Sequence, residues 1–283
     1  MFDLVTDRIV VIRQNIQFDS DTIRGLETDK LTAAGEALPE PDASDNEAVV
    51  VTVDVPSGEP AVIVIPDRAA ETLAGKDAEI TIETPTSAIS FDQEAMSCIA
   101  AVKATVILSV AVYDNEDQAD WTKKGTAVVI DLVDDNGNSV LPDSKNNGTI
   151  TIKVPYTGTG SIQVYYRDEQ GEYHWIPDAK REGDYVVFTT NHLSDYVIVE
   201  GAGLTAWMEN GALEYRVALP QGQGAKLLIA WYDDVTGQMK GCYMVAAESG
   251  RLTDIHSDCT YKVILVSDTF APLCPAVGMS AEG

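Results

Sequence analysis

The sequence predicts an all-β protein made of two β-sandwich modules, with two short helices in the larger module. Three observations predict this class. Apolar and polar residues alternate with a period of two in many short segments, turns bearing Gly or Pro separate these segments by roughly 8–15 residues, and helical periodicity is nearly absent. Closely spaced short strands of this kind are typical of sandwiches.

Composition sets the broad class and excludes some partners. The 283 residues are 45% apolar and 23% charged, which is ordinary for a folded protein of about two domains. Lys and Arg number 19 against 45 Asp and Glu, so the formal net charge is −26. Binding to phosphates or to anionic lipids requires a surplus of cations, so we expect neither nucleic acid nor a membrane surface as partner. No apolar run approaches the roughly 20 residues of a membrane span.

Shifts in composition divide the chain into three segments. Residues 1–47 are expected to hold one short strand and then, at 35–47, the acidic stretch GEALPEPDASDNE, which is typical of a solvated linker. Residues 48–201 are the predicted larger sandwich. Residues 202–283 are the predicted immunoglobulin-like sandwich, and the boundary lies at Gly201-Ala202-Gly203.

Cap residues predict the two helices of the larger module. Residues 67–74 have a cap residue and an Ala-rich interior, and they stop at Gly75. A second helix is predicted over 92–101, with the Asp92 carboxylate as its N-cap. The strands predicted in segments 1–47 and 48–201 are 8–12, 49–55, 61–65, 78–83, 126–133, 149–154, 161–167, 185–190 and 196–200.

The clearest turn is Asn136-Gly137, after the strand at 126–133. This dipeptide is the signature of a type I′ hairpin turn, in which both central residues take positive φ, so the chain is expected to return as a strand from Ser139. The strands predicted in the C-terminal module are 212–219, 225–232, 239–247 and 261–266.

Acidic turns and cysteines are the first candidates for a metal site. The turns at 114–117 and 131–138 offer the oxygen ligands that calcium prefers, but an EF-hand loop with Gly137 at its sixth position would begin at Leu132, which cannot ligate. Ordinary turns are therefore predicted, with a loosely bound loop cation as the alternative, and no cofactor or resident metal.

The chain has four cysteines, which are Cys98, Cys242, Cys259 and Cys274. They form no CxxC pair, which favours buried free thiols or one disulfide among the last three.

One histidine lies in a setting that suggests chemistry. His192-Leu193-Ser194 occupies a turn between two apolar strands, whereas His174 and His256 are interpreted as surface or strand residues. An imidazole near a Ser hydroxyl acts as a general base. If the turn strains the Leu193–Ser194 peptide, Ser194 Oγ can attack the Leu193 carbonyl and convert the amide to an ester that water then cleaves. In the alternative, His192 and Ser194 satisfy backbone groups at a strand junction.

The triplet His192-Leu193-Ser194, followed by an aromatic residue and an apolar strand, resembles the self-cleavage motif of the autoproteolysis-inducing domain of adhesion receptors. In that family cleavage falls before the Ser or Thr. The resemblance implies single-turnover cleavage of the Leu193–Ser194 peptide by an N-to-O acyl shift.

A broader resemblance is carried by longer segments. In the larger module they are AVIVIPDRAAETLAGKDAEITIETP (61–85), DLVDDNGNSV (131–140), TITIKVPY (149–156), VYYRDEQGEYHWIP (164–177) and VVFTTNHLSDYVIV (186–199), and in the C-terminal module AKLLIAWYDDVTGQM (225–239) and YKVILVSDTFAPLCP (261–275). These segments resemble β-rich modules of Gram-positive bacterial surface proteins that occur with S-layer homology domains, followed by a companion module. The resemblance implies an extracellular, non-enzymatic segment that serves spacing, presentation or adhesion. Asp7, Arg8 and Arg13 interrupt the apolar start of the chain, so no secretory signal is predicted there. Either the protein stays inside the cell or the chain is a fragment of a longer protein, and with the resemblance we expect a fragment of a surface protein.

Aromatic residues support a glycan-binding alternative, because sugar faces stack on exposed rings. Tyr173 and Trp175 lie with Tyr165 and Tyr166 in one predicted hairpin, and Trp231 lies at the end of a strand. Strand alternation puts Tyr165 and Tyr166 on opposite faces, so one of them is expected in the core. The expected partners are cell-wall glycans, host glycans or other surface proteins.

Overall fold

The computed structural model confirms the predicted all-β class. It describes residues 10–12, 35–37, 49–53, 55, 60–75, 79–116, 124–141, 147–168 and 170–280. In this part of the chain, two short helices accompany four β-sheets in a sandwich-like arrangement. Neither helix is long and apolar enough to cross a bilayer.

The strands carry consecutive labels in chain order. The first fourteen are β1 (Val10–Ile12), β2 (Gly35–Ala37), β3 (Val49–Thr52), β4 (Ala61–Ile65), β5 (Ile80–Thr84), β6 (Ser87–Phe91), β7 (Val106–Glu116), β8 (Lys124–Asp134), β9 (Ile150–Pro155), β10 (Ile162–Arg167), β11 (Tyr173–Ile176), β12 (Lys180–Glu182), β13 (Tyr185–Thr190) and β14 (Asp195–Glu200). The last seven are β15 (Gly203–Glu209), β16 (Ala212–Ala218), β17 (Ala225–Asp233), β18 (Met239–Ala246), β19 (Gly250–Leu252), β20 (Cys259–Ser267) and β21 (Val277–Ser280). The helices are α1 (Asp67–Ala74) and α2 (Gln93–Ala101).

The chain folds into two compact units. The first unit comprises residues 1–116, 125–157 and 178–197, and the second comprises 117–124, 158–177 and 198–283. The module limits expected at 47–48 and 201–202 stay a prediction.

Two sheets and both helices build the first unit. The strands that one eight-stranded sheet contributes to this unit have the order β14-β8-β7-β4-β1-β2, and the six-stranded sheet has the order β12-β13-β9-β6-β5-β3. Alternation decides which side chains are buried: along β9, Ile150, Ile152 and Val154 are fully buried while the residues between them are not. The helices α1 and α2 lie against each other.

Asp92 joins α2 to β9. Its Oδ1 accepts a hydrogen bond from Ala95 N at 2.8 Å, which confirms the predicted N-cap, and its Oδ2 accepts one from Thr149 N at 2.6 Å. The bounds predicted for α1 are also confirmed, but its N-cap position is Pro66, which has no side-chain hydrogen bond. A helix can begin at Pro because its missing N–H needs no partner there.

The hairpin turn after β8 differs from the prediction. Gly137 has φ of 81°, but Asn136 does not have positive φ, so the turn is not type I′. Asp134 Oδ1 accepts hydrogen bonds from the backbone N–H groups of Asn136 and Asn138, both at 2.8 Å, and this bonding selects a different loop. These bonds outweigh the upward effect of burial and lower the pKa of Asp134. The chain returns only as an isolated bridge at Ser139.

The strand β7 was not predicted from the sequence, and the prediction of an acidic turn at 114–117 is wrong because residues 114–116 continue this strand. β7 lies between β4 and β8, and residues 106–111 are all buried. A strand with both faces covered has a continuous apolar run without alternation, which periodicity alone does not separate from a buried helix.

The second unit has a core of its own. Its sheets have the orders β15-β16-β19 and β18-β17-β20-β21, and the β10–β11 hairpin lies next to the last residues of β14. The buried residues of this core are Ala202, Leu204, Leu213, Leu227, Ile229, Cys259, Tyr261, Val263, Leu265 and Cys274. Cys259 and Cys274 are free thiols, and burial raises the pKa of Cys274 to about 12.

We expect Asp92→Ala to destabilise the first unit by about 1–2 kcal/mol, because it removes the cap of α2 together with the bond to Thr149. Urea unfolding followed by circular dichroism measures this loss. Glu94→Ala, at an exposed position in the first turn of the same helix, is the control and should change stability by less than about 0.5 kcal/mol. Equal losses in the two variants would contradict the capping role of Asp92.

Candidate functional site

The turn that carries the predicted self-cleavage motif connects β13 to β14. His192, Leu193 and Ser194 are each half-buried and lie between Thr190, the last residue of β13, and Asp195, the first of β14. The Ser194 carbonyl accepts a hydrogen bond from Ile130 N of β8 at 3.2 Å. The structure therefore places the three candidate residues together, on a turn that is hydrogen-bonded to β8.

Two hydroxyl groups hold the main chain of this turn. Tyr196 is 2% exposed, and its hydroxyl donates to the His192 carbonyl oxygen at 2.6 Å. Thr190 Oγ1 donates to the same oxygen at 3.1 Å and lies 3.3 Å from the His192 backbone N–H. Thr190 and Tyr196 were missed as site residues, although a Tyr four residues after a turn carbonyl is a recognisable signal for this closure.

Short-range contacts also orient the imidazole. His192 Nδ1 lies 3.1 Å from Thr190 Oγ1 and 3.1 Å from Asn191 Oδ1. The ring centroids of His192 and Tyr196 are 6.4 Å apart. These contacts hold the Nδ1 edge of the ring against Thr190 and Asn191, the two residues that precede it.

Two kinds of backbone strain are absent from residues 190–196, all of which the structure describes. None of these residues has positive φ, and none follows a cis peptide bond. In the described part of the chain, the non-glycine residues with positive φ are Lys103, Asn210 and Phe270, all outside this turn. The strain expected at the Leu193–Ser194 peptide therefore has no left-handed residue as its source.

The predicted glycan-binding rings of β11 belong to a packed hairpin. Tyr165 is fully buried and its hydroxyl donates to the Ala202 carbonyl at 2.9 Å, so it is the core tyrosine expected from alternation. Trp175 pairs with Tyr165 across the ladder and packs on Gly203, where a Cβ would collide with its ring. Tyr173 is half-buried opposite Arg167.

Trp231 lies in a second aromatic cluster. Its ring covers Gly241 of β18, and its centroid is 4.7 Å from that of Tyr243 and 5.6 Å from that of the exposed His256. An aromatic ring placed over a strand glycine supplies the contacts that the glycine lacks. Packing therefore accounts for the half-buried position of Trp231, with His256 forming the outer layer.

A third cluster, missed from the sequence, closes the β10–β11 hairpin. One ligand-type atom from each of Asp168, Glu172 and His174 lies within 4.8 Å of the other two. His174 Nε2 is 2.7 Å from Asp168 Oδ2, and Glu172 N donates to Asp168 Oδ1 at 2.7 Å. Burial acts to raise the pKa of Asp168, but the bonds from His174 and Glu172 outweigh it and lower that pKa. The cluster thus has a structural role in the turn.

Comparison with known proteins assigns no family to this chain. No family model and no curated protein matches it. Two solved structures of β-glucuronidase from Ruminococcus gnavus show a faint likeness, with TM-scores of 0.20 and 0.17 at 8% and 9% identity. The matches cover 47% and 46% of this chain but only 35% and 34% of those enzymes, about a third of their length. At these TM-scores the likeness carries no argument.

We expect Tyr196→Phe to destabilise the first unit by about 1–2 kcal/mol, because the His192 carbonyl loses its shorter hydrogen bond, which comes from the buried Tyr196 side chain. Denaturant unfolding gives the change in free energy. Tyr185→Phe, at a 39% exposed position on β13, is the matched control and should be nearly neutral. A Tyr196→Phe variant as stable as the control would show that this bond does not hold the turn.

Proposed function

We propose that this chain is a non-enzymatic structural or adhesion segment of an extracellular surface protein of a Gram-positive bacterium. The observation that supports this is how the three histidines are used. His174 is hydrogen-bonded to Asp168 at the end of a hairpin, and His192 contacts Thr190 in the β13–β14 turn. His256 stacks on Trp231. Each belongs to a separate element and has a structural contact, which suits a scaffold better than an active site.

The charge of the chain supports the same function. A net charge of −26 keeps a surface hydrated and resists aggregation, which suits a module exposed outside the cell. Two modules with separate cores can space or present other parts of a longer protein. Cell-wall glycans, host glycans or other surface proteins are the partners we propose, and a sugar would contact the half-buried rings of Tyr173, Trp175 and Trp231.

Protease treatment of intact producing cells tests the extracellular location. We expect an antibody against this chain to detect loss of the protein after trypsin treatment of whole cells, while a cytoplasmic marker protein persists. Detection only after lysis, with full protection in intact cells, would contradict the proposal.

Self-processing is the second candidate function, and it rests on the His192-Leu193-Ser194 triplet in the β13–β14 turn. Thr190 and Tyr196 hold the residue directly before the Leu193–Ser194 peptide. In this reaction His192 takes the Ser194 hydroxyl proton, Oγ bonds to the Leu193 carbonyl carbon, and the C–N bond breaks as the imidazolium returns the proton to the leaving Ser194 amine. Water then hydrolyses the ester to the Leu193 carboxylate and the Ser194 hydroxyl.

Mass spectrometry of the purified chain separates the two candidates. The structural proposal predicts one intact species at 30.5 kDa that is unchanged on prolonged incubation. Fragments that end at Leu193 and begin at Ser194 would establish self-processing instead, provided that Ser194→Ala abolishes them. Ser161→Ala, which changes a serine in the β9–β10 connection, is the control and should leave any cleavage unaltered.

A further inference from the structure

The strand β18 is a long and weakly protected sheet edge in the second unit. Within the described ranges it pairs only with β17, and its eight residues make it the longest strand at the edge of any sheet. An edge strand presents unpaired N–H and C=O groups that can pair with another chain, and proteins protect such edges with charge, proline or short length. The edge strand β12 has this protection, because its three residues are all charged and exposed.

The middle of β18 lacks such protection. The one charged residue of β18 is Lys240, which is the second residue of the strand. It lies where a shift in register interrupts the ladder with β17. Residues 241–247 carry no charge although the chain has a net charge of −26. Met244, at the centre of this stretch, is 54% exposed.

The two charges that flank this stretch are opposite in sign and equally distant from Met244. Lys240 lies four residues before it and the exposed Glu248 lies four residues after it. We propose that β18 is the surface at which two copies of this chain associate, as antiparallel strands related by a two-fold axis at Met244. This arrangement brings Lys240 of each copy toward Glu248 of the other, whereas a parallel pairing would oppose like charges.

The uncharged residues are also self-complementary in this register. The axis sets Met244 opposite its own copy, Cys242 opposite Ala246, and Tyr243 opposite Val245 of the second copy. Aromatic and β-branched residues are favourable cross-strand pairs. Lys240 donates to Asp233 Oδ2 and Asp258 Oδ2 at 2.8 and 2.9 Å, and an ammonium group has three N–H donors, so one of them remains for Glu248 of the second copy.

The outer face of the sheet extends the same complementarity. Leu228 of β17 pairs with Met244 on one side and with Ile264 of β20 on the other, so the three side chains form one row. Joining two β18 edges continues this row across the two-fold axis and covers Met244. The same surface patch serves both copies, as a closed two-fold dimer requires.

Sedimentation velocity on the full chain over a micromolar concentration series tests the proposal. We expect a species of twice the 30.5 kDa chain mass that dissociates on dilution. Met244→Lys places two lysines on the axis and should raise the dissociation constant at least about tenfold. Val235→Lys adds the same charge in the β17–β18 turn, at a 94% exposed position, and should leave the dissociation constant unchanged. A chain that is monomeric throughout, or a dimer that Met244→Lys does not weaken, would overturn the proposal.

Cross-linking tests the register independently. In a Cys242→Ser background, Met244→Cys should form a disulfide-linked dimer under mild oxidation, because directly opposed antiparallel residues have Cα atoms about 4.5–5.5 Å apart, within disulfide range. Val235→Cys in the same background is the control and should not cross-link. Equal cross-linking of both variants would contradict an axis at Met244, and loss of the Met244→Cys cross-link in Glu248→Lys would support the charge pairing.

Discussion

Burial of one face of each sheet is the constraint on which the rest of this structure depends. Along β20 the side chains of Tyr261, Val263 and Leu265 are fully buried, whereas Lys262 between them is exposed and Ile264 is half-buried. A slip of one residue in register would exchange the two sets, so the apolar contribution of about 25 cal/mol per Å² holds the register in place. The turns must then connect strands whose positions are already set.

Polar side chains in this chain act mainly where the strands end. Asp92 links a helix to a strand, Asp134 holds a hairpin loop, and Asp168 closes another hairpin with His174. Each supplies carboxylate oxygens to backbone groups that the sheets leave unpaired. The β13–β14 turn follows a similar rule, because the hydroxyl groups of Thr190 and Tyr196 donate to the His192 carbonyl oxygen.

Some features of the fold and of the candidate site could be predicted from the sequence, and others could not. Local rules were sufficient for α1 and α2 and for the Asp92 cap, since these depend on neighbouring residues. They failed at Asn136-Gly137, where the Asp134 carboxylate selects another turn, and at β7, whose burial on both faces removes the alternation that identifies a strand. The location of His192, Leu193 and Ser194 in a turn followed from the two apolar strands beside them.

The sequence by itself determined the all-β class, the charge, most strand positions and the residues placed in turns, because these follow from periodicity and from side-chain chemistry within a few residues. Only the tertiary structure decided which strands are neighbours, that Tyr165 is the core tyrosine of its hairpin, and that β18 forms a sheet edge. These features depend on residues far apart in the chain. The period-two pattern shows that a strand buries one face, but it does not contain the identity of the strand or core that covers it.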